Sequence, residues 1–366
     1  MRFTCSRTRL ADALSIVCDV APQRSAKAVL QNIKLQGQED GTISLSATDM
    51  EIGLTYNMDV ENLTDPDCVL LPAARLSGLI RDDWSETVNF VIENQKAEIS
   101  TKHGKFHLMG SDDSEFPEIP GLGEAEFVEI NGDEIVDAVA KTMFAAARSD
   151  VRYALNGILI SADKDNMDFV ASDTHRLSLV KKKIRNSKEI KADAIVIPKG
   201  MSTLARLSEG QEGVKIRITP REMIAQTACA TLVARLVEGQ FPRYKDVIPK
   251  DFDKTVTIDR ETLAKSLRLA GQVANEETRS LTLSASGGKV TASATGNDAG
   301  DAQVEMEAQI EGGDVSISFN FVYLLDVIKV LDGKSITLQL KDRDTPARLD
   351  AGDFTHVIMP IKPVKR

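Results

Sequence analysis

The densest set of chemically able side chains is "ASDTHRLSL" at 171–179, which packs Ser172, Asp173 and His175 into four positions. A serine nucleophile, a histidine base and an orienting aspartate would make a hydrolytic triad, so a hydrolase is one reading of this stretch. Other motifs fall short of their chemistry. "DGKS" at 332–335 ends like a phosphate loop, but Ile328 stands where its leading glycine belongs. "DKDNMD" from Asp163 opens like a calcium loop, yet Asp168 replaces the required glycine and Thr174 the terminal glutamate; it reads as a hairpin turn. His103 and His107 can share one strand face, but no third metal ligand accompanies them, and they read as surface residues. The four cysteines, Cys5, Cys18, Cys68 and Cys229, form no CxxC pair. Zinc and a disulfide framework are therefore not expected, and a reducing compartment is. The motifs predict no metal and no cofactor.

The elements that carry these residues recur. Phe3 is followed at +7 and +11 by Leu10 and Leu14, Val128 by Ile135 and Val139, and Val256 by Leu263 and Leu267. Each set predicts a short strand leading into an amphipathic helix, with Asp133 and Asp259 near two of the helix starts. Asn32, Asn156 and Ser280 open the next strands, each 124 residues after the last. Seventeen residues beyond them lie Asp49, Asp173 and Asn297. The slot of Asp173 is thus repeated, which favours a structural residue capping a turn over a triad acid. A second helix follows in each copy, at "LPAARLSGLI", "IPKGMSTLARL" and "FNFVYLLDVIKVL". Pro72 and Pro198 suit a first helical position and Asn320 an N-cap. Alternating runs then predict antiparallel strands with one buried face.

The prediction is an α+β fold of three repeated units, two helices packed on antiparallel sheets in each, at 1–123, 124–252 and 253–366. The net charge of −10 argues against a chain coated in positive charge. No apolar run approaches the ~20 residues of a membrane span and the N-terminus has no apolar signal core, so a cytoplasmic protein without a membrane role is expected. The charge is unevenly placed. The six predicted helices (7–20, 72–81, 133–148, 199–209, 259–274 and 319–331) hold twelve basic and nine acidic side chains, leaving −13 for the remainder.

"ATDMEIGL", "DVRYALNGILI", "ASDTHRLSL", "IPKGMSTLARL", "GQFPRYKDVIP" and the terminal "VIMPI" together resemble the bacterial DNA polymerase III beta subunit family, the sliding clamps, in order and spacing over the whole chain. The resemblance implies a non-enzymatic processivity factor: a head-to-tail homodimer forming a ring of six similar domains, with helices lining the hole. Its partners would be double-stranded DNA, held without regard to sequence, the replicative polymerase catalytic subunit, the clamp loader and other proteins carrying clamp-binding peptides. It implies DNA contacts at Arg24, Arg75 (with Ala74 as the alternative register), Ser149 and Tyr153. A groove between the second and third domains would receive partner peptides through Arg152, Leu155, Ser172, Thr174, His175, Arg176, Leu177, Pro242, Val247, Pro346, Val357 and Met359. The dimer interface would pair Lys105, Phe106 and Leu108 of "KHGKFHLMG" with a surface holding Gln272, Val273, Asp301 and Glu305. Two features depart from the family: Thr174 stands where glycine is usual, and the tail "KPVKR" runs past the usual end.

Overall fold

Leu10, Ala13, Leu14 and Val17 recur at helical spacing, and all four are fully buried along helix Arg7–Val20. The Ser6 hydroxyl accepts from the Arg9 amide and starts that helix. Beneath it, strand Arg2–Ser6 stacks Phe3 on Phe90 of strand Thr87–Glu93 at 4.7 Å. This strand–helix opening returns at Lys254–Asp259 and Arg260–Ala270, where Asp259 accepts from the Thr262 amide at 2.8 Å.

The computed structural model describes residues 1–124, 126–148, 153–186, 188, 190–296 and 300–361. The chain forms two compact units, Met1–Val136 with Ile184–Leu236, and Asp137–Lys183 with Val237–Arg366. In the first, a five-stranded sheet runs Glu61–Thr64, Arg2–Ser6, Thr87–Glu93, Lys96–Ser100, Lys105–Met109. An eight-stranded sheet contains strands of both the first and second copies, because Ile52–Asp59 pairs antiparallel with Ala230–Arg235. In the second unit, Arg176–Lys183 pairs in the same way with Phe354–Ile358, joining strands of the second and third copies.

These two joins share one register. Ile52 lies opposite Ala234 and Tyr56 opposite Ala230. Arg176 lies opposite Ile358 and Val180 opposite Phe354, each residue 124 further along. The flanking bonds repeat as well: Asn57 N donates to Cys229 O at 2.7 Å and Lys181 N to Asp353 O at 3.0 Å, while Arg235 N donates to Glu51 O and Met359 N to His175 O, both at 2.8 Å.

Some helix limits differ from expectation. Pro72 closes strand Cys68–Pro72 one residue before helix Ala73–Asp82, whereas Pro198 does take the first helical position. Asp133 is not a cap: Asn131 Oδ1 accepts from the Asp133 amide, and the Asp133 carboxylate accepts from Gly210 N. The helices expected at 133–148 and 259–274 stop at Thr142 and Ala270 and tighten into the single turns Met143–Ala145 and Gly271–Val273. Asn320 caps Phe321–Val330 through the Val322 amide.

Candidate functional site

The turn at 172–176 contains no triad. Ser172 Oγ donates to Arg176 O at 2.8 Å and accepts from Thr174 N. Asp173 Oδ1 accepts from the amides of His175 and Arg176, and its Oδ2 takes the Arg176 Nε at 3.0 Å. Hydroxyl and carboxylate are therefore committed to the turn. The turn at 48–52 is built identically: Thr48 Oγ1 donates to Ile52 O, Met50 N donates to Thr48 Oγ1, and Asp49 Oδ1 accepts from Glu51 N and Ile52 N. Met50 and Thr174 both sit in the left-handed region, at φ 78° and 74°. The third counterpart, Asn297, lies outside the described residues. The thiols of Cys5 and Cys68 are pushed up to about 12, chiefly by burial, which suppresses the reactive thiolate. Among the described residues no His, Cys, Asp and Glu cluster suits a metal ion. The 163–168 stretch is a hairpin, with Asp163 opposite Asn166.

Arg176 fixes the outer side of this turn. Its guanidinium donates to Asp173, to Asp326 Oδ2 at 2.8 Å and to Phe144 O at 2.5 Å, and lies 4.3 Å from the Tyr323 ring centre. The His175 ring stacks beside Tyr323 at 6.4 Å. Burial raises the Tyr323 hydroxyl above its ordinary range. Helix Phe321–Val330, the turn Met143–Ala145 and strand Arg176–Lys183 thus meet on one side chain. Sequence reasoning passed over Phe144, Tyr323 and Asp326; nothing local marks residues so far from 176 in the chain as its partners.

The structure brings most of the expected pocket residues in the second unit to this place. Ser172 lies opposite Leu177, Leu177 opposite Val357, and Met359 hydrogen-bonds His175. Pro346 immediately precedes strand Ala347–Ala351, which pairs with the strand bearing Val357. Pro242 and Val247 lie on the segment whose Tyr244 hydroxyl donates to Asp168 at 2.8 Å, four residues before Ser172. Met359 and Val247 are exposed. Leu155, Leu177 and Val357 are buried. Arg152 lies outside the described residues, as do Ser149 and the tail from 362. Behind the turn His356 is wholly buried; its Nδ1 pairs with Ser178 Oγ at 2.8 Å and its Nε2 has no partner among the described residues. Burial first, and Arg176 second, push its basicity down to about 3, so it is neutral.

The other expected residues are accessible. Arg24 and Arg75 are exposed, and Tyr153 is 73% exposed. Lys105–Met109 is an end strand with Phe106 39% exposed. Asp301 and Glu305 are exposed on strand Gly300–Glu311, and Gln272 is exposed and Val273 half-buried in the turn Gly271–Val273. Among the described residues, 300–307 of that strand pair on one side only, with Lys289–Gly296, whereas 308–311 pair with Lys254–Asp259. The single tryptophan, Trp84, was also passed over. It is exposed and stacks on His103 at 4.2 Å, next to the end strand.

Comparison with known proteins agrees along the whole chain. Residues 1–120, 129–243 and 245–362 match the N-terminal, central and C-terminal domains of the DNA polymerase III beta subunit. A beta sliding clamp of Pseudomonas putida is 30% identical over 369 residues, covering 99% of this chain and all of the relative. The crystal structure of the beta subunit from Pseudomonas aeruginosa superposes with a TM-score of 0.92 at 29% identity, covering 99% of this chain and all of that one. A sliding clamp from the same organism, solved bound to griselimycin, gives 0.93 at 29% identity, covering 99% of each chain. With three consecutive domain matches and a curated relative 30% identical over its full length, the chain belongs to the DNA polymerase III beta subunit family, the beta sliding clamps.

Proposed function

We propose that this chain, a DNA polymerase processivity clamp by family, acts without catalysis as a cytoplasmic ring of two copies around duplex DNA. Its three repeats divide at 1–123, 124–252 and 253–366. The observation that carries the reading is the shared register of the two strand joins. The third-copy counterpart of 52–56 and 176–180 is 300–304, a further 124 residues along. The first-copy counterpart of 230–234 and 354–358 follows from the hairpin turns Thr101–Gly104, Thr227–Ala230 and Ala351–Phe354; it is 104–108. Both segments are open edges. Pairing them between copies sets Gly300 opposite Leu108, Ala302 opposite Phe106 and Gln303 opposite Lys105, so small residues face the large apolar ones. Gln272 and Val273 flank this interface. Two such junctions close a ring.

Arg24, Arg75, Ser149 and Tyr153 are the DNA contacts in this reading. Phosphate contacts of this kind carry no sequence information and permit sliding. Around the 172–176 turn, His175, Met359 and Val247 offer exposed contacts for a peptide from a polymerase, a clamp loader or another partner, with Pro242 and Pro346 on neighbouring segments; Arg152 completes the set in this reading. Leu155, Leu177 and Val357 stiffen the base, and Ser172, Thr174 and Arg176 fix the turn.

One experiment tests both register and topology. Lys105→Cys and Gln303→Cys together should cross-link copies into a closed dimer on mild oxidation, while either change alone should not. The ring, loaded on nicked circular DNA before oxidation, should stay bound at a salt that screens phosphate contacts and slide off once the circle is cut. Absence of the cross-link overturns the register; retention after cutting overturns encirclement.

A further inference from the structure

Three hydrogen bonds set the helices of the three repeats in register. Arg7 N donates to Glu86 O at 3.0 Å, Gly132 N to Gln211 O at 2.9 Å and Arg260 N to Lys334 O at 2.8 Å. Each donor opens the first helix of its repeat, and each acceptor follows the second. Counted from the donors, Ile16 corresponds to Lys141 and to Leu269. Counted back from the acceptors, Gly78 corresponds to Thr203, and the helix starts Ala73 and Pro198 keep the same spacing. In the first unit, helix Arg7–Val20 packs beside helix Pro198–Ser208. Arg206 donates to Asp19 and, at 3.3 Å, to Ser15 Oγ, while Lys199 Nζ donates to Val20 O at 3.2 Å. Lys199, Thr203 and Arg206 share one helix face, as do Ser15, Ile16, Asp19 and Val20. Thr203 therefore faces the stretch around Ile16. Thr203 is 6% exposed and Ile16 is half-buried. In the second unit Lys141 takes the position of Ile16, and its side chain is 14% exposed.

The remaining members of these two sets stand open. Leu269, on helix Arg260–Ala270, is 63% exposed. Gly78 lies in the middle of helix Ala73–Asp82, where a Cβ would meet nothing within 4 Å. A mid-helix glycine weakens its helix relative to alanine, and none of the described residues crowds this one. We infer that Leu269 of one copy packs over Gly78 of the other at each ring junction, a knob seated where the facing helix carries no side chain. This rests on the ring reading above. That reading pairs the third-repeat edge with the first-repeat edge as the joins within the chain pair theirs. It thereby sets helix Arg260–Ala270 beside helix Ala73–Asp82 of the second copy, as Arg7–Val20 lies beside Pro198–Ser208. The ion pair of the first unit is not kept there, because the positions of Asp19 and Arg206 become Gln272 and Arg81. Apolar burial takes its place. The absent Cβ lets the two helix backbones approach, and the leucine loses its water-exposed surface on closure. Leu269 also stands one turn before Gln272 and Val273, so the contact is continuous with the strand pairing already proposed.

The test is sedimentation equilibrium of the full chain. Leu269→Ala removes the knob and should raise the dimer Kd about tenfold for each junction, so about a hundredfold for a ring closed by two. Gly78→Leu fills the gap and should raise it at least as much. Its far-ultraviolet helix signal should stay at or above that of the wild type, since leucine is the better helix former, which separates lost dimerisation from lost folding. Combined, the two changes move the large side chain from one helix to the other, and the dimer should be tighter than with Gly78→Leu alone. A Kd within about threefold of wild type in either single variant, or a combined variant no tighter than Gly78→Leu, overturns the inference and leaves the ring standing. A wild-type chain that never dimerises overturns the ring and the inference together.

Discussion

Thr174 occupies a backbone conformation that a β-branched residue adopts at a cost of about 1–2 kcal/mol. It persists because three hydrogen bonds of the turn fix the positions around it. Glycine removes the strain and gives back part of the gain as unfolded-chain entropy, about 0.5–1 kcal/mol. Thr174→Gly should therefore raise stability by up to about 1 kcal/mol in urea unfolding; a loss would show that the threonine side chain makes a compensating contact. His356 makes a second prediction at this scale. Its native proton affinity is depressed, so the unfolded chain binds a proton that the native one refuses. Stability at this residue is full above the unfolded histidine value and falls as pH drops towards about 3. His356→Gln should lower the melting temperature at neutral pH and flatten its decline in acid; an unchanged acid slope would rule out this assignment.

At the scale of elements, Arg176 joins a strand, a helix and a turn that are otherwise far apart in sequence. Arg176→Ala should destabilise the second unit by about 3–5 kcal/mol, because Asp173 and Asp326 would lose their buried counter-charge. Arg176→Lys should recover little, since an ammonium cannot serve three acceptors in a plane and stack on Tyr323; full recovery in thermal unfolding would show that charge alone matters. The turn itself was legible in the sequence, since Asp49 and Asp173 stand 124 residues apart and the repeat marks both as structural. The helices were legible too, from spacing and caps such as Asp259 and Asn320. Their ends were less so, because Thr142 and Ala270 pass into tighter turns through hydrogen bonds that no propensity encodes. The aromatic and acidic partners of Arg176 could not be read, because they depend on tertiary packing. The burial of Leu177 and Val357 could be read only as apolar character, which a pocket and a core share.

For the whole molecule, the sequence carried the plan of three copies and the separation of charge, while the structure supplied the shared register of the two strand joins within the chain. Much of the basic charge on the helices is paired locally, as in Lys199 with Asp49, Arg206 with Asp19 and Lys141 with Asp137. Arg24 and Arg75 remain exposed. In the ring proposed above, attraction of DNA by such a surface is independent of sequence and weakens with salt.

The two half-paired strands have a further meaning in the language of polymer chemistry. A chain with complementary reactive ends is a bifunctional monomer, and such monomers either cyclise or grow. In the ring proposed above, two copies cyclise because their second junction forms within one particle, at an effective concentration that a third copy in dilute solution cannot match. Whether successive junctions return on themselves or run on then decides the product. A substitution that changed the twist at the Ile52–Asp59 or Arg176–Lys183 join would leave both ends reactive and intact, and would convert a ring-former into a filament-former.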